Sequence, residues 1–246
     1  MFKLSIVGNE AAFDYTASLR IINQIIEKPE SVIGLSTGRT TGNMHRLVVE
    51  AYRRKPFDVS RVTFFGLDEV MNVPHTYAGA CYTMLKTEIV DGLGIDDAHF
   101  LMLPTESHDW DADCQTFVSQ LEQRGGIDLL VLGLGENGHL GFNQPGTPFD
   151  SVAWTTLMNK ELEARIRQET QTPTNKTLGG VTLGIRDIMH ARRIVLVAKG
   201  INKAEIAHQM LYGPVTTDVP ASILQLHPNC EFLLDDAAAK YVKPLY

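Results

Sequence analysis

Cysteine is scarce in this 246-residue sequence: there are three, Cys81, Cys114 and Cys230, all far apart. An odd, scattered set with no C-x-x-C pair and no mixed Cys/His spacing excludes a disulfide framework and a structural zinc site. It reads instead as buried, reduced thiols of a cytoplasmic protein. No apolar run is long enough to span a bilayer, and the opening MFKLSIVGNEAAFDY lacks a cationic region followed by an apolar one, so neither membrane insertion nor secretion is expected. Basic charge is also short. With 22 Lys and Arg against 29 Asp and Glu the formal net charge is −7, and no Lys/Arg run could track a phosphate backbone, which argues against a nucleic-acid partner. The eight histidines are dispersed, without an H-E-x-x-H pair or carboxylates at ligand spacing, so metal-independent chemistry is expected. Internal repeats, low-complexity tracts and long linkers are missing as well, which leaves one domain over residues 1–246 as the expected organisation.

What the sequence does have is a recurrence of apolar runs of strand length: Leu4 to Val7, Ser31 to Ser36, Val62 to Leu67, Ile127 to Leu134, Arg193 to Ala198 and Cys230 to Leu234. They are continuous rather than alternating, the pattern of strands covered on both faces. Helix-length segments lie between them, such as Ala11 to Glu27, where Phe13, Ala17, Ile21 and Ile25 share a face behind a possible Asn9 cap. Alternation of this kind predicts an α/β fold with a doubly wound, mostly parallel sheet flanked by helices, a Rossmann-like three-layer arrangement. The ligand crevice of such a sheet lies beyond the carboxyl ends of its strands.

Three loops after strands are therefore the places to look for chemistry. Ser36, Thr37, Gly38, Arg39 and Thr40 lie between a buried strand and a helix starting near Thr41. Outward N–H groups, hydroxyls and a helix N-terminus favour an anion there, although a plain capped strand-to-helix turn would read the same way, and the absence of G-x-x-x-x-G-K-[ST] points to a monophosphate rather than a nucleotide. In the second loop, Asp68 and Glu69 follow the apolar run ending at Leu67. A carboxyl shielded by an apolar strand end has its pKa raised, as a base removing a carbon-bound proton near neutral pH requires, although a helix cap or a solvated turn would also place acids here.

The third loop, GLGENGHLGFNQPG, carries Gly133, Gly135 and Gly138 at G-x-G-x-x-G spacing directly after a strand. A dinucleotide site also needs a following helix and an acidic residue some 20 positions further on. Gly141, Pro145, Gly146 and Pro148 break any helix, and Met158 stands where the acid would be. The fingerprint is therefore accidental, and no cofactor is expected. What the turn offers is His139 among Glu136, Asn137, Asn143 and Gln144, a side chain able to give or take a proton on a sugar oxygen if a neighbour fixes its tautomer, although an isolated histidine is more often structural.

The segments GLSTGRTT, FFGLDEV, LLVLGLGENGHLGFNQPGT, GGVTLGIRDIMHARRIVLVAKGINKAE and DVPASILQLHP, in this order and at this spacing, resemble the glucosamine/galactosamine-6-phosphate isomerase (deaminase) family, whose relatives include 6-phosphogluconolactonases. The resemblance covers nearly the whole chain. It implies a reaction in which a phosphorylated amino sugar opens, a proton moves between C2 and C1 through an enediol-like intermediate, and ammonia leaves to give a ketose 6-phosphate. By motif, Asp68 resembles the base for the C2 proton, His139 the ring-opening acid/base, and Glu69 their support. Ser36 to Thr40 resemble the phosphate cradle, joined by Lys203 of GINKAE and by Arg167 ahead of VTLGI, with Arg165 as the alternative.

Two departures bear on the chemistry. Glucosamine-type deaminases carry Asp and Glu where this chain has Asn137 and Gln144, so the histidine loses two carboxylate neighbours. In a serine protease triad the corresponding Asp-to-Asn change costs about 10⁴ in rate through the wrong tautomer. Asn at the first position also resembles some galactosamine-type members. Near Trp154 and Thr156 the basic residues by which allosteric hexameric deaminases bind their effector are missing, which implies a monomer or a small homo-oligomer. Two other readings stay open: a 6-phosphogluconolactonase-like hydrolase, and a sugar-phosphate-binding module without catalysis.

Overall fold

The chain, described at residues 2–74 and 76–242 of a computed structural model, forms ten strands: β1 (Lys3–Ile6), β2 (Val32–Leu35), β3 (Thr63–Gly66), β4 (Asp68–Met71), β5 (Phe100–Leu101), β6 (Leu129–Gly133), β7 (Trp154–Leu157), β8 (Gly179–Thr182), β9 (Ile194–Ala198) and β10 (Cys230–Leu234). The helices are α1 (Glu10–Glu27), α2 (Gly42–Arg54), α3 (Cys81–Leu85), α4 (Asp91–Leu93), α5 (Trp110–Gln123), α6 (Lys160–Thr170), α7 (Ile185–Met189) and α8 (Ala204–Tyr212), with a π-helical turn, Lys86–Val90, joining α3 to α4. All six apolar runs of the sequence supply strands to a seven-stranded parallel sheet in the order β1-β10-β9-β6-β2-β3-β5.

Alternate side chains of these strands enter two cores. On one face Ile33, Leu35, Phe64, Leu129, Val131, Val195, Val197 and Leu233 meet Phe13, Ile21 and Ile25 of α1, Met44 and Val48 of α2, and Leu85 and Ile89. On the other, Val32, Phe65, Leu130, Leu132, Ile194, Leu196, Phe232 and Leu234 meet α5, α7 and α8 through residues such as Phe117, Ile188 and Met210. Both faces being covered explains why the strands read as unbroken apolar runs. Asn9 caps α1 as its sequence implies, its Oδ1 accepting the Ala12 N–H at 3.0 Å. The expected doubly wound α/β sheet is thus the observed one.

A second, antiparallel sheet, β4-β8-β7, is not foreseen in the sequence. Asp68 is consequently the first residue of a strand, not part of a loop, and pairs in register with Thr182 of β8. Four-residue strands such as DEVM and WTTL are too short to declare a period of two, and β4 opens on two acids, which reads as a turn. Val70, Val73, Ala80, Ile166 of α6 and Leu178 pack together over this sheet.

From β2 the chain proceeds outward through β3 to β5, and from β6 it proceeds the opposite way through β9 to β10. The reversal lies between β2 and β6, the topological switch point where open α/β sheets leave a crevice. The loops after these two strands are the first and third loops picked out above.

Candidate functional site

The two loops at the switch point are stitched to each other. Ser36 donates its N–H (3.1 Å) and its hydroxyl (3.0 Å) to the Val131 carbonyl and accepts the Gly133 N–H at 3.3 Å. Its hydroxyl is thereby spent on structure. The chain then turns tightly, the Gly38 carbonyl accepting the N–H groups of Thr41 and Gly42 at 3.2 and 3.1 Å as α2 begins. Arg39 is exposed. Across from it, Lys203 stands at the end of the 3₁₀ turn Ile201–Lys203, its pKa lowered by burial and, against the pull of Glu136, by the cationic Arg39. Arg39 and Lys203 beside the N-terminus of α2 form an anion-attracting corner.

Asp68 enters from β4. Burial pushes its carboxyl up to about 7, the Cys81 hydrogen bond opposing and the charge of Glu69 adding to the rise. Glu69 is fully buried and points the other way along the strand pleat: its carboxylate accepts the N–H of Val70 (2.7 Å), Cys81 (2.8 Å) and Tyr82 (2.7 Å). It therefore holds the start of α3 against β4.

The glycine-rich turn presents His139. Its main-chain N–H and Nδ1 both meet Asn137 Oδ1, at 3.2 and 2.7 Å, and Asn137 Nδ2 donates to Gln144 Oε1 at 3.0 Å. Because Oδ1 already accepts the backbone N–H, it can only accept from Nδ1 too, so the neutral ring carries its proton on Nδ1 and leaves Nε2 as the acceptor. The wrong-tautomer penalty anticipated for Asn137 does not arise in this arrangement, since the amide turns its oxygen, not its NH₂, to the ring. The His139 pKa is lowered by burial and by the Lys203 cation, with Glu136 opposing. Gly135 is required here: a Cβ would lie 2.3 Å from the His139 ring. Gly141, at φ +57°, is the second such position, where a Cβ would fall 3.1 Å from Asp68 Oδ2.

Neighbouring segments hold the turn. Gly138 O accepts from Ala221 of the 3₁₀ segment Pro220–Leu226, Gly146 N–H donates to Thr217, and buried Asn143 bonds the Leu140 and Leu183 carbonyls and the Trp154 indole. Asn202 reaches Glu136 at 2.7 Å, which brings the Lys203 turn to the histidine. The fold thus gathers Ser36, Thr37, Gly38, Arg39, Thr40, Asp68, Asn137, His139, Gln144 and Lys203 about one crevice. Arg167 is not gathered with them: its guanidinium donates to the carbonyls of Thr172, Pro173 and Lys176 and to Glu163, all on its own segment. Arg165 is exposed beside Glu169 at 3.9 Å. The residue that sequence reasoning passed over is Cys81, which contacts both Thr37 (3.2 Å) and Asp68 (3.5 Å); only its nearness to FFGLDEV could have drawn notice. Among the described residues, no three His, Cys, Asp or Glu side chains converge as a metal site.

A parallel sheet whose switch point carries a histidine turn, with a carboxyl from the neighbouring small sheet beside it, is the arrangement of an α/β enzyme. The particular family follows from comparison. Residues 11–232 match the family described as glucosamine-6-phosphate isomerases/6-phosphogluconolactonase, and the chain belongs to it. A glucosamine-6-phosphate deaminase of Clostridium tetani (strain Massachusetts / E88) is 35% identical over 98% of this chain and 100% of its own. A putative deaminase AgaI of Escherichia coli (strain K12) is likewise 35% identical, over 91% of this chain and 88% of its own. Among solved structures, a monomeric glucosamine-6-phosphate deaminase superposes with a TM-score of 0.88 at 26% identity, covering 97% of this chain and 99% of that one. A 6-phosphogluconolactonase from Trypanosoma cruzi, 18% identical with a TM-score of 0.79 over 99% of this chain and 98% of that one, shares the fold.

Proposed function

We propose that the protein converts galactosamine 6-phosphate or glucosamine 6-phosphate, with one water, into a ketose 6-phosphate and ammonia. The observation that carries this reading is the half-buried Asp68 carboxyl beside the histidine turn, its Oδ2 3.1 Å from the point a Cβ at Gly141 would occupy, with burial pushing its pKa up to about 7. The phosphate would sit against the Thr37 to Thr40 turn that Ser36 holds in place, with Arg39 and Lys203 beside it. Arg167 would join them only after leaving its own carbonyls. His139 Nε2 takes the proton of the sugar's O1 and returns it to O5, opening the ring. Asp68 then removes the proton from C2 and delivers it to C1. The amine-bearing C2 becomes an iminium, which water hydrolyses to the ketone with loss of ammonia. Asn137 and Gln144 keep the histidine in its Nδ1–H tautomer, and Glu69 fixes the segment that faces Asp68.

Further support comes from two relatives, one named glucosamine-6-phosphate deaminase and one putative deaminase AgaI, each 35% identical to this chain. A cytoplasmic protein without a nucleic-acid partner accords with three free, buried cysteines, a net charge of −7 and, among the described residues, no helix long and apolar enough to cross a membrane. A monomer or small homo-oligomer is the assembly we expect, to be read by light scattering. The decisive experiment is a paired assay of ammonia and ketose 6-phosphate release from the two epimers. Turnover of at least one is expected. No turnover of either at high enzyme concentration overturns the proposal, and hydrolysis of a 6-phosphogluconolactone without ammonia release would assign the lactonase reaction instead.

A further inference from the structure

The thiol of Cys81 lies between two groups of the crevice. Its Sγ is 3.2 Å from Thr37 Oγ1 in the first loop and 3.5 Å from Asp68 Oδ1 at the start of β4. We propose that Cys81 is a positioning residue for Asp68: the thiol donates to Oδ1, the Thr37 hydroxyl donates to the thiol, and the three side chains form one hydrogen-bonded chain from the first loop to the base. The proposal rests on the reading of Asp68 as the base given above.

The placement of the sulfur is built from the backbone outward. Cys81 begins α3, and its N–H is bound to Glu69 Oε1 at 2.8 Å, while that of the next residue is bound to Oε2 at 2.7 Å. A buried carboxylate holding two successive amides fixes the Cys81 Cα relative to the strand that carries Asp68. The direction of the bonds follows from the groups. Burial and the carboxylates of Asp68 and Glu69 hold Cys81 well above the usual thiol range, so it keeps its proton. That single proton goes to the carboxylate, which can only accept when ionised, and the sulfur accepts from the hydroxyl.

Holding Oδ1 decides where the other oxygen goes. Oδ2 faces the histidine turn, 3.1 Å from the point a side chain at Gly141 would occupy and on the side of the Thr182 hydroxyl. The thiol thus selects which oxygen is offered to the crevice. The groups facing Asp68 are Cys81 from α3, Thr182 from β8, the Gly141 backbone from the third loop and, next to it on β4, the charged Glu69. A hydroxyl at position 81 would orient the carboxylate equally but, as a stronger donor, would stabilise its ionised form and weaken it as a base; a thiol orients with less loss of basicity.

The test uses the full chain in three forms, wild type, Cys81→Ala and Cys81→Ser, with Asp68 followed by carbon NMR of aspartate-labelled protein. Removing the donor should raise the pH at which Asp68 titrates by about half a unit to one unit, and the serine hydroxyl should lower it below the wild-type value. In the wild type the infrared S–H band of Cys81 should move to lower frequency as Asp68 ionises, a shift missing in Asp68→Asn. The acid limb of kcat should follow the NMR titration with little change in KM, which a purely structural cysteine would not produce. Asp68 titrating at one pH in wild type and Cys81→Ser, with an S–H band indifferent to pH, overturns the proposal even where the alanine variant fails to fold. Both spectroscopic readouts need no substrate, so a failure of the deaminase reading would show separately, as the absence of ammonia release.

Discussion

The role proposed for Asp68 requires a carboxyl that is costly to ionise, and the fold supplies that cost. Its pKa rises from 3.8 to about 7, mainly through burial. A carboxyl raised in the folded state gives stability that is whole below the unfolded pKa and is lost as pH climbs through 7. Asp68→Asn should therefore raise Tm by about 3–6 °C at pH 8, with no gain at pH 4, while abolishing solvent exchange of the C2 proton. Calorimetry at the two pH values measures the first effect and NMR of the substrate the second; a variant less stable at pH 8 would contradict the assignment. His139 shows the opposite balance, a neutral ring beside neutral Asn137. A carboxylate within hydrogen-bond reach of an imidazole raises its pKa by roughly 1–2 units. Asn137→Asp combined with Gln144→Glu should accordingly move the His139 titration upward by that amount, read from its ring proton in NMR. Little of this could be read from residue types alone. The sequence names Asp68, Asn137 and His139, but which atom of the amide meets the ring depends on a backbone N–H contact that has no sequence signature.

At the level of elements, the small antiparallel sheet and the α3 segment deliver the site's acid, and Glu69 joins them. It accepts three N–H groups from two elements while fully buried. Charge-assisted bonds of this kind are worth about 1.5–3 kcal/mol each when one partner is left behind, so Glu69→Ala should lower stability by about 3–5 kcal/mol and slow turnover by loosening Cys81. Glu69→Gln, which retains an acceptor oxygen, should recover about half of the stability. Denaturant titration ranks the three proteins, and equal midpoints for wild type and alanine would refute the role. The long parallel strands were legible because burial on both faces leaves a continuous apolar signature, and α1 because its cap and its apolar stripe agree. By contrast β4, β7 and β8 were not. They are stabilised by pairing with one another and by α6, and at four residues each they are too short for their buried positions, Val70, Met71 and Val181, to show a period. Lys203 was placed by motif, but its approach to Arg39 is a tertiary fact. Arg167 likewise matched its motif while its guanidinium serves the α6 segment.

The whole molecule is tied at the opposite end of the main sheet by Glu231, which is 4% exposed. It accepts from Ser5 (2.7 Å) and from Arg20 (2.9 and 2.8 Å) and pairs with Lys3 at 3.1 Å and Arg193 at 3.5 Å, so one carboxylate of β10 joins β1, α1 and the residue leading into β9. Burial acts to raise its pKa, but the bonds from Arg20, Ser5 and Lys3 outweigh it and bring the group down from 4.5 to about 2. A depressed carboxyl contributes stability present above its unfolded pKa and lost as pH falls toward the folded one. Glu231→Gln should lower Tm by roughly 5–10 °C at pH 7, and the gap should narrow steadily between pH 4.5 and 2. A constant gap across that range would show that the charge is not what matters.

The pairing of β1 with β10 also has a consequence in time. β1 finds its partner only when β10 has been made, and the apolar stripe of α1 rests partly on Val195, Val197 and Leu233, which emerge much later than the helix. Contacts so distant along the chain fold slowly, and a helix made early with its partners still unmade is an exposed adhesive surface. Until β9 and β10 are made, α1 has only its earlier partners β2, α2 and β3 to cover Phe13, Ile21 and Ile25, which leaves part of its apolar stripe exposed while the chain grows.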